Sequence, residues 1–248
     1  SNPQVLIKKN NSILIEYLTV PVKMLAVTLT ATNNQTSRFE YQFDPTIDSW
    51  YHIALVKNGV NVALFLDGQK VINSTYLGTI QDGGSSEPWD IGANRAGGTD
   101  YFNGYIDEVR IVASAVYTEV FTPAHHQFFP TQEHAITSND NYANQVDLLL
   151  HFEEVDGSDL VDSSSTDASV ALDAGSLNSD NARFGSKSLS VPASGTGCQV
   201  NKLQSNEHDI FPASDYTIEM YFKLNQGVND SKLFKTSGNG LILKIQNS

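Results

Sequence analysis

The sequence predicts an all-β fold: two antiparallel sheets stacked as a jelly-roll sandwich, with very little helix. Three observations carry this prediction. Apolar and polar residues alternate with period two through most of the 248 residues, the spacing that sends side chains to opposite faces of a strand. Asn-Gly and Asp-Gly pairs interrupt the alternation where hairpin turns need positive φ angles. No stretch sustains an apolar stripe of helical period. Residues 113–120 come nearest, but their β-branched side chains and the Thr122-Pro123 stop oppose more than one turn.

Strands are predicted at about 4–9, 12–19, 23–31 and 37–43, each an alternating run ending in polar turn residues. The clearest stretch follows. Trp50-Tyr51-His52-Ile53-Ala54-Leu55-Val56, the turn pair Asn58-Gly59, Val62-Ala63-Leu64-Phe65-Leu66, the turn pair Asp67-Gly68 and Gln69-Lys70-Val71-Ile72 form a three-stranded meander. Further strands are expected at 89–93, 102–114, 147–152, 168–172, 186–191, 197–202, 215–224, 231–235 and 240–246. Residues 130–145 are polar, rich in Asn, Thr and Ser, and without alternation, so they read as a linker, after which Val146 to Phe152 opens a fresh β-rich segment.

Composition narrows the function. There are 28 acidic and 15 basic residues, a formal charge of −13, and no Lys/Arg cluster, so the chain would repel nucleic acid and an anionic membrane surface. No apolar run approaches the roughly 18 residues that span a bilayer, and membrane insertion is not expected. With the single Cys198 an intrachain disulfide framework is excluded, and folding must rest on core burial. The start at Ser1 fits neither a signal peptide nor an ordinary translation start, so the chain is expected to be trimmed.

Several motifs point to one family. In the second segment, Leu148-Leu149-Leu150-His151-Phe152 with Asp156-Gly157-Ser158 and Val161-Asp162-Ser163-Ser164 make an opening strand and an Asp-Ser loop. Arg183-Phe184-Gly185-Ser186-Lys187-Ser188-Leu189 gives an FG-x-x-S-L strand, and Ser214 to Phe222 a strand of the DFTIEFW kind. In the first segment stand a W-x-H-[IV]-A strand from Trp50, an LFVDG-like hairpin at 64–68, Ile91-Gly92-Ala93, and Phe102-Asn103-Gly104-Tyr105-Ile106-Asp107-Glu108-Val109-Arg110-Ile111, with Tyr117 and Phe121-Thr122-Pro123 after it. The chain thereby resembles the laminin-G-like, concanavalin A-like lectin/glucanase superfamily, in the form common in bacteriophage structural proteins and bacterial surface proteins.

In that family the opening half precedes the closing half; here the order is inverted. The expectation is therefore that 1–130 is the closing part of one sandwich, 131–145 a linker, and 146–248 the opening part of a second; the alternative is one circularly permuted sandwich. An eight-residue likeness between Val5-Leu6-Ile7-Lys8-Lys9-Asn10-Asn11-Ser12 and Leu241-Ile242-Leu243-Lys244-Ile245-Gln246-Asn247-Ser248 fits a tandem array cut twice in one strand.

Candidate sites are few. Asp107 and Glu108 lie mid-strand in an apolar run, where a buried carboxylate needs a partner. Strand alternation would send one to each face, with Arg110 as the available cation. Calcium ligation is the metal reading, with Asp107 and Asp162 as ligands if the two belong to one sandwich. A glycan contact is expected on the Gly-rich loop Asn94 to Tyr101, through Asn94, Arg95, Asp100 and Tyr101. Adjacent His125 and His126 point apart and make no natural chelate, whereas Trp50 and His52 read as core residues. Asn10, Asn34, Asn73 and Asn229 satisfy the N-glycosylation pattern, which matters only in a secretory pathway.

Catalytic residues are not expected. Retaining glucanases of this fold use a Glu-x-Asp-x-x-Glu strand, and Tyr105 and Arg110 stand where two of its carboxylates belong. No hydrolase elbow, metalloprotease motif or phosphate loop is present. The resemblance thus implies a non-enzymatic structural or adhesion module of a phage virion, from a tail fibre, an appendage or the capsid surface. Its partners would be cell-surface or environmental glycans, other virion proteins and copies of itself. The alternatives are a secreted or bacterial cell-surface adhesin module and, further off, a glycoside hydrolase of the same fold.

Overall fold

The structure, a computed structural model of the 248-residue chain, describes residues 4–5, 13–18, 23–79, 89–92, 102–129, 141–155, 159–192, 197–201, 215–225, 231–236 and 242–245. Apart from a single 3-10 turn at Ala143–Gln145, the regular structure among these residues is β. The largest sheet contains β5 (Trp50–Asn58), β6 (Asn61–Leu66), β7 (Gln69–Thr75), β9 (Gly104–Val112), β10 (Val146–Leu150), β12 (Ser176–Asn178), β13 (Ser188–Val191) and β15 (Tyr216–Leu224). Its order is β12-β13-β9-β15-β5-β6-β7, with β10 also paired to β9. A second sheet runs β1 (Gln4–Val5), β2 (Ile13–Leu18), β3 (Met24–Thr30), β4 (Thr36–Gln42). A third orders β11 (Ser169–Leu172), β14 (Cys198–Asn201), β8 (Trp89–Ile91), β16 (Ser231–Thr236) and β17 (Ile242–Ile245). All pairings are antiparallel, and the fold is the expected all-β sandwich.

Alternation decides what meets in the middle. Ile53 and Leu55 of β5, Val62 and Leu64 of β6, Ile106, Val109 and Ile111 of β9, and Ile218, Met220 and Phe222 of β15 pack in one buried cluster. In the same cluster lie Leu25, Val27 and Leu29 of β3, Ile91 of β8, Val170 of β11 and Val200 of β14. One apolar core is therefore sealed by residues from both ends of the chain.

The strand that joins them is β15. It lies between β5 and β9, pairing Glu219 with Ala54 on one side and with Arg110 on the other. Strands of 1–130 and of 146–248 thus pair with one another in one sheet. The expected linker is only partly described: Ala143 is buried, and the Gln145 carbonyl accepts a hydrogen bond from Ala113 N at 2.8 Å. Of the terminal repeat, Val5 and Ile242–Ile245 are placed in strands, and the remaining positions lie outside the described residues.

Both hairpins form, the second at the predicted pair Asp67-Gly68 and the first one residue beyond the predicted pair Asn58-Gly59. At the first, positive φ is confined to Gly59, which with Val60 makes the two-residue loop between paired Asn58 and Asn61. At the second, Asp67 and Gly68 both have positive φ, 48° and 75°, the mirror-image turn that matches strand twist. A Cβ on Gly68 would stand 1.9 Å from the carbonyl oxygen of Phe121. Gly68→Ala is therefore expected to lower stability by at least about 2 kcal/mol, from the strained backbone and the collision together, and to expose residues 113–129 to limited proteolysis. An unchanged thermal midpoint would refute that account.

Candidate functional site

The face of the large sheet turned away from the sandwich core is also buried. Residues 113–129, which leave β9, cross this face as a strap. Every second residue of β15 holds something laid over it. The Thr217 hydroxyl donates to the Ser114 carbonyl at 2.8 Å and accepts from Val116 N at 2.9 Å. Glu219 accepts from the Tyr117 hydroxyl at 2.8 Å, and the Tyr221 hydroxyl donates to the Ala124 carbonyl at 2.6 Å. Lys223 reaches the Asn181 side-chain oxygen at 2.5 Å, in a second crossing segment, 181–187.

Glu219 is the hub of this layer. It is 0% exposed, and its Oε1 accepts from Arg110 Nε at 2.7 Å and from Arg110 Nη2 at 2.6 Å. Its Oε2 meets His52 Nε2 at 3.0 Å. Burial alone pushes the Glu219 pKa up; the Arg110 guanidinium and His52 more than reverse this and hold it near 2. Desolvation and the Glu219 charge push the Tyr117 phenol well above its ordinary value, so it stays a proton donor. Tyr117 stacks on Phe121 with ring centroids 3.6 Å apart, and Arg110 lies 4.0 Å over the Phe128 ring. The strap is pinned by charge, hydroxyls and rings together.

Asp107 and Glu108 do not divide between the two faces. The register slips between Glu219 and Tyr221, and Glu108 takes φ +52°, so a β-bulge turns both carboxylates outward while Ile106 and Val109 stay in the core. Neither carboxylate makes the expected pair with Arg110 in this geometry, because the guanidinium is turned to Glu219. Glu108 instead accepts from Phe128 N at 2.8 Å and contacts His151 Nδ1 at 2.8 Å. Asp107 accepts from Glu108 N, Arg183 N and Phe184 N at 2.9, 2.7 and 3.1 Å. Burial, together with the Glu108 charge and against those N–H donors, pushes Asp107 up to about 8.

The calcium expectation does not fit these contacts. Asp162 is a loop clasp: its Oδ1 accepts from Leu149 N and Ser164 N, and its Oδ2 from the Ser164 hydroxyl and Ala168 N, all at 2.8–2.9 Å. Lone pairs that a hard cation would need face N–H and O–H donors at both Asp107 and Asp162. Nor do the two carboxylates share a partner among these contacts. Among the described residues no group of three or more His, Cys, Asp or Glu is placed to hold a metal.

Other expected residues fall as follows. Asn94, Arg95, Asp100 and Tyr101 lie outside the described residues. His125 and His126 are exposed. His52 is buried, but in the ionic outer layer rather than the apolar core, and Trp50 packs half-buried on that same side. Sequence reasoning missed Glu219. The signal was there: a glutamate mid-strand in Tyr216-Thr217-Ile218-Glu219-Met220-Tyr221-Phe222 raises the same burial problem as Asp107.

The motif residues now have physical roles. Phe184 packs edge-on against Tyr221, Gly185 has φ +59° with Glu153 beside it, and Ser186 binds Glu153 through both its N–H and its hydroxyl. Ala54 is small where Phe65, Tyr117 and Phe121 pack over it. Residues 1–119 match the model of the concanavalin A-like lectin/glucanases superfamily, of laminin G type. Over this part the chain resembles the concanavalin A-like lectin/glucanase superfamily. The match covers a little under half of the chain, and β15, which lies beyond it, pairs with β5 and β9 inside it. No curated protein and no solved structure matches the chain.

Among the described residues are two open clefts. One, of about 460 Å³, is lined by Ala113, Asn144, Gln145, Val146, Asp147, Ser165 and Thr166. The other, of about 340 Å³, lies where the strap passes the β5-β6-β7 meander. Val56, Ala63 and Tyr117 contribute its apolar lining, and Asn58, Asn61, Lys70, Asn73, Thr118 and Glu119 its polar lining.

The hub makes stability depend on acid. The Glu219 pKa is about 2 when folded against an ordinary 4.5, so its contribution is complete above about 4.5 and is lost as pH falls toward 2. Asp107, raised when folded, acts in the opposite sense: its contribution declines as pH rises from 3.8 toward 8. Thermal midpoints measured across pH 2–5 are expected to fall less steeply in Glu219→Gln than in the parent. Parallel acid limbs would disprove the assignment.

Proposed function

We propose that the chain is a non-catalytic, lectin-like adhesion module of a phage virion surface, carried on a tail fibre, an appendage or the capsid, and that it binds glycans. The observation that supports this most is the outer layer of the superfamily sandwich. Its buried carboxylates, Asp107, Glu108 and Glu219, are each 0% exposed and are engaged in holding the strap and the 181–187 crossing. A glycosidase acid–base pair must face the scissile bond, whereas these are covered by the strap and the 181–187 crossing.

Acidic balance favours uncharged or cationic partners over polyanions, so cell-surface or environmental glycans are its partners and nucleic acid is not, while other virion proteins and further copies of the chain are its neighbours in the particle. Among the described residues no helix is long and apolar enough to cross a membrane. The virion setting rests on the likeness of both sets of motifs to those of phage beads. Weak single-site binding, multiplied by display in many copies, is the mode of action.

The test is a glycan array probed with the chain displayed multivalently on a particle, paired with an assay for reducing-sugar release. Binding without release is expected. Release that disappears in Asp107→Asn or Glu108→Gln would replace this reading with hydrolysis, and no binding at millimolar glycan would reduce the module to a structural role.

A further inference from the structure

The meander cleft carries an assignment within the reading just given, and it rests on that reading. We propose that the groove between the strap and the β5-β6-β7 meander is the sugar site, and that it takes a neutral saccharide of one or two rings.

Three asparagines stand on one wall. Asn58 ends β5 and Asn61, its register partner, begins β6, while Asn73 of β7 pairs with Ala63 two residues further along β6. A register shift between Leu64 and Phe65, which pairs Phe65 with Lys70 and Leu64 with Ile72, brings Lys70 to the same face as Asn73 despite their odd spacing. All three asparagines are exposed, and their side-chain amides make no hydrogen bond to another described residue. Each presents a planar donor and a planar acceptor side by side, matching a sugar hydroxyl that both donates and accepts. In the larger cleft, by contrast, Asn144 and Asp147 are already engaged.

The remaining lining sets the ligand class. Lys70 is the one cation in the described lining, and it is occupied: Nζ donates to the Thr118 carbonyl at 2.5 Å and lies 3.5 Å from the Glu119 carboxylate. The wall is thereby close to neutral, in a chain of formal charge −13, so sialic acid and uronates gain nothing there. Val56, Ala63 and the half-buried Tyr117 supply an apolar floor for the C–H face of a pyranose ring. A groove of about 340 Å³ lies at the small end of ligand pockets and suits a short saccharide rather than a long chain.

The experiment is an NMR titration of the isotope-labelled full chain with methyl glycosides of neutral hexoses, N-acetylhexosamines and their disaccharides, and with sialic acid, at millimolar concentration. The side-chain amide signals of Asn58, Asn61 and Asn73 are expected to shift with at least one neutral probe and not with sialic acid. The double variant Asn58→Ala/Asn73→Ala is expected to weaken binding at least about tenfold with an unchanged thermal midpoint, since both residues are exposed. If a probe binds and the double variant binds it equally well, the site is overturned while the glycan-binding reading stands. Preference for sialic acid overturns the neutral class. If neither the probes nor the array glycans bind, both readings fall.

Discussion

Glu219→Ala is expected to cost about 3–5 kcal/mol and to leave the domain largely unfolded at 37 °C. The reason is what stays behind. Arg110 is 3% exposed and His52 1%, and removing the carboxylate takes away the acceptor that these two groups and the Tyr117 hydroxyl share beneath the strap. Chemical denaturation of parent and variant measures it directly. Since the variant could fail to fold at all, Glu219→Met/Arg110→Met is the informative companion: with both charges gone no ion is stranded, and it is expected to recover much of the loss. A double variant as unstable as the single one would show that the layer depends on shape and not on charge.

The second large effect concerns the two segments. Residues 1–130 and 146–248, made separately, are each expected to lack a cooperative thermal transition, and to gain one when combined. In the first, β5 and β9 would face an empty slot; in the second, β15 would have neither neighbour. The fully buried Tyr216, Met220 and Phe222 would then lie in water, and about 25 cal/mol per Å² of apolar burial would be lost on both sides. Calorimetry of each piece and of the mixture decides the matter. Cooperative melting of either piece alone would favour two independent beads over a single interleaved sandwich.

How much of this was legible in the sequence differs by level. Period-two alternation and two hairpin dipeptides located most strands within a residue or two, because those signals are local. Short β12 (Ser176–Asn178) carried too little alternation to be seen. Long-range pairing left less trace. The order of motifs was readable, but whether β15 closes its own sheet depends on partners far away in the chain. The facing of Asp107 and Glu108 was misread because a bulge breaks the alternation on which such readings depend, and nothing at Asp107-Glu108 marks it: glutamate is an unusual residue at φ +52°. Asp162 looked like a metal ligand because a buried aspartate beside serines suits either a cation or a set of N–H donors, and only the surrounding backbone distinguishes them. Asn58, Asn61 and Asn73, none of them in the loop expected to bind sugar, came together only through the meander's register.

The place of β15 also dictates an order of events during synthesis. Arg110 and His52 precede their shared partner Glu219 by 109 and 167 residues. Until that strand emerges from the ribosome, β5 and β9 have finished sequences but each lacks a neighbour, and their unpaired N–H and C=O rows are open to any other nascent chain. Such distant closure makes folding slow, on the scale of milliseconds to seconds, relative to a meander that pairs as soon as it is made. Where copies are produced side by side, the same open slot that β15 fills can accept the β15 of a neighbour, so exchange of this strand is the characteristic way for the molecule to misassemble.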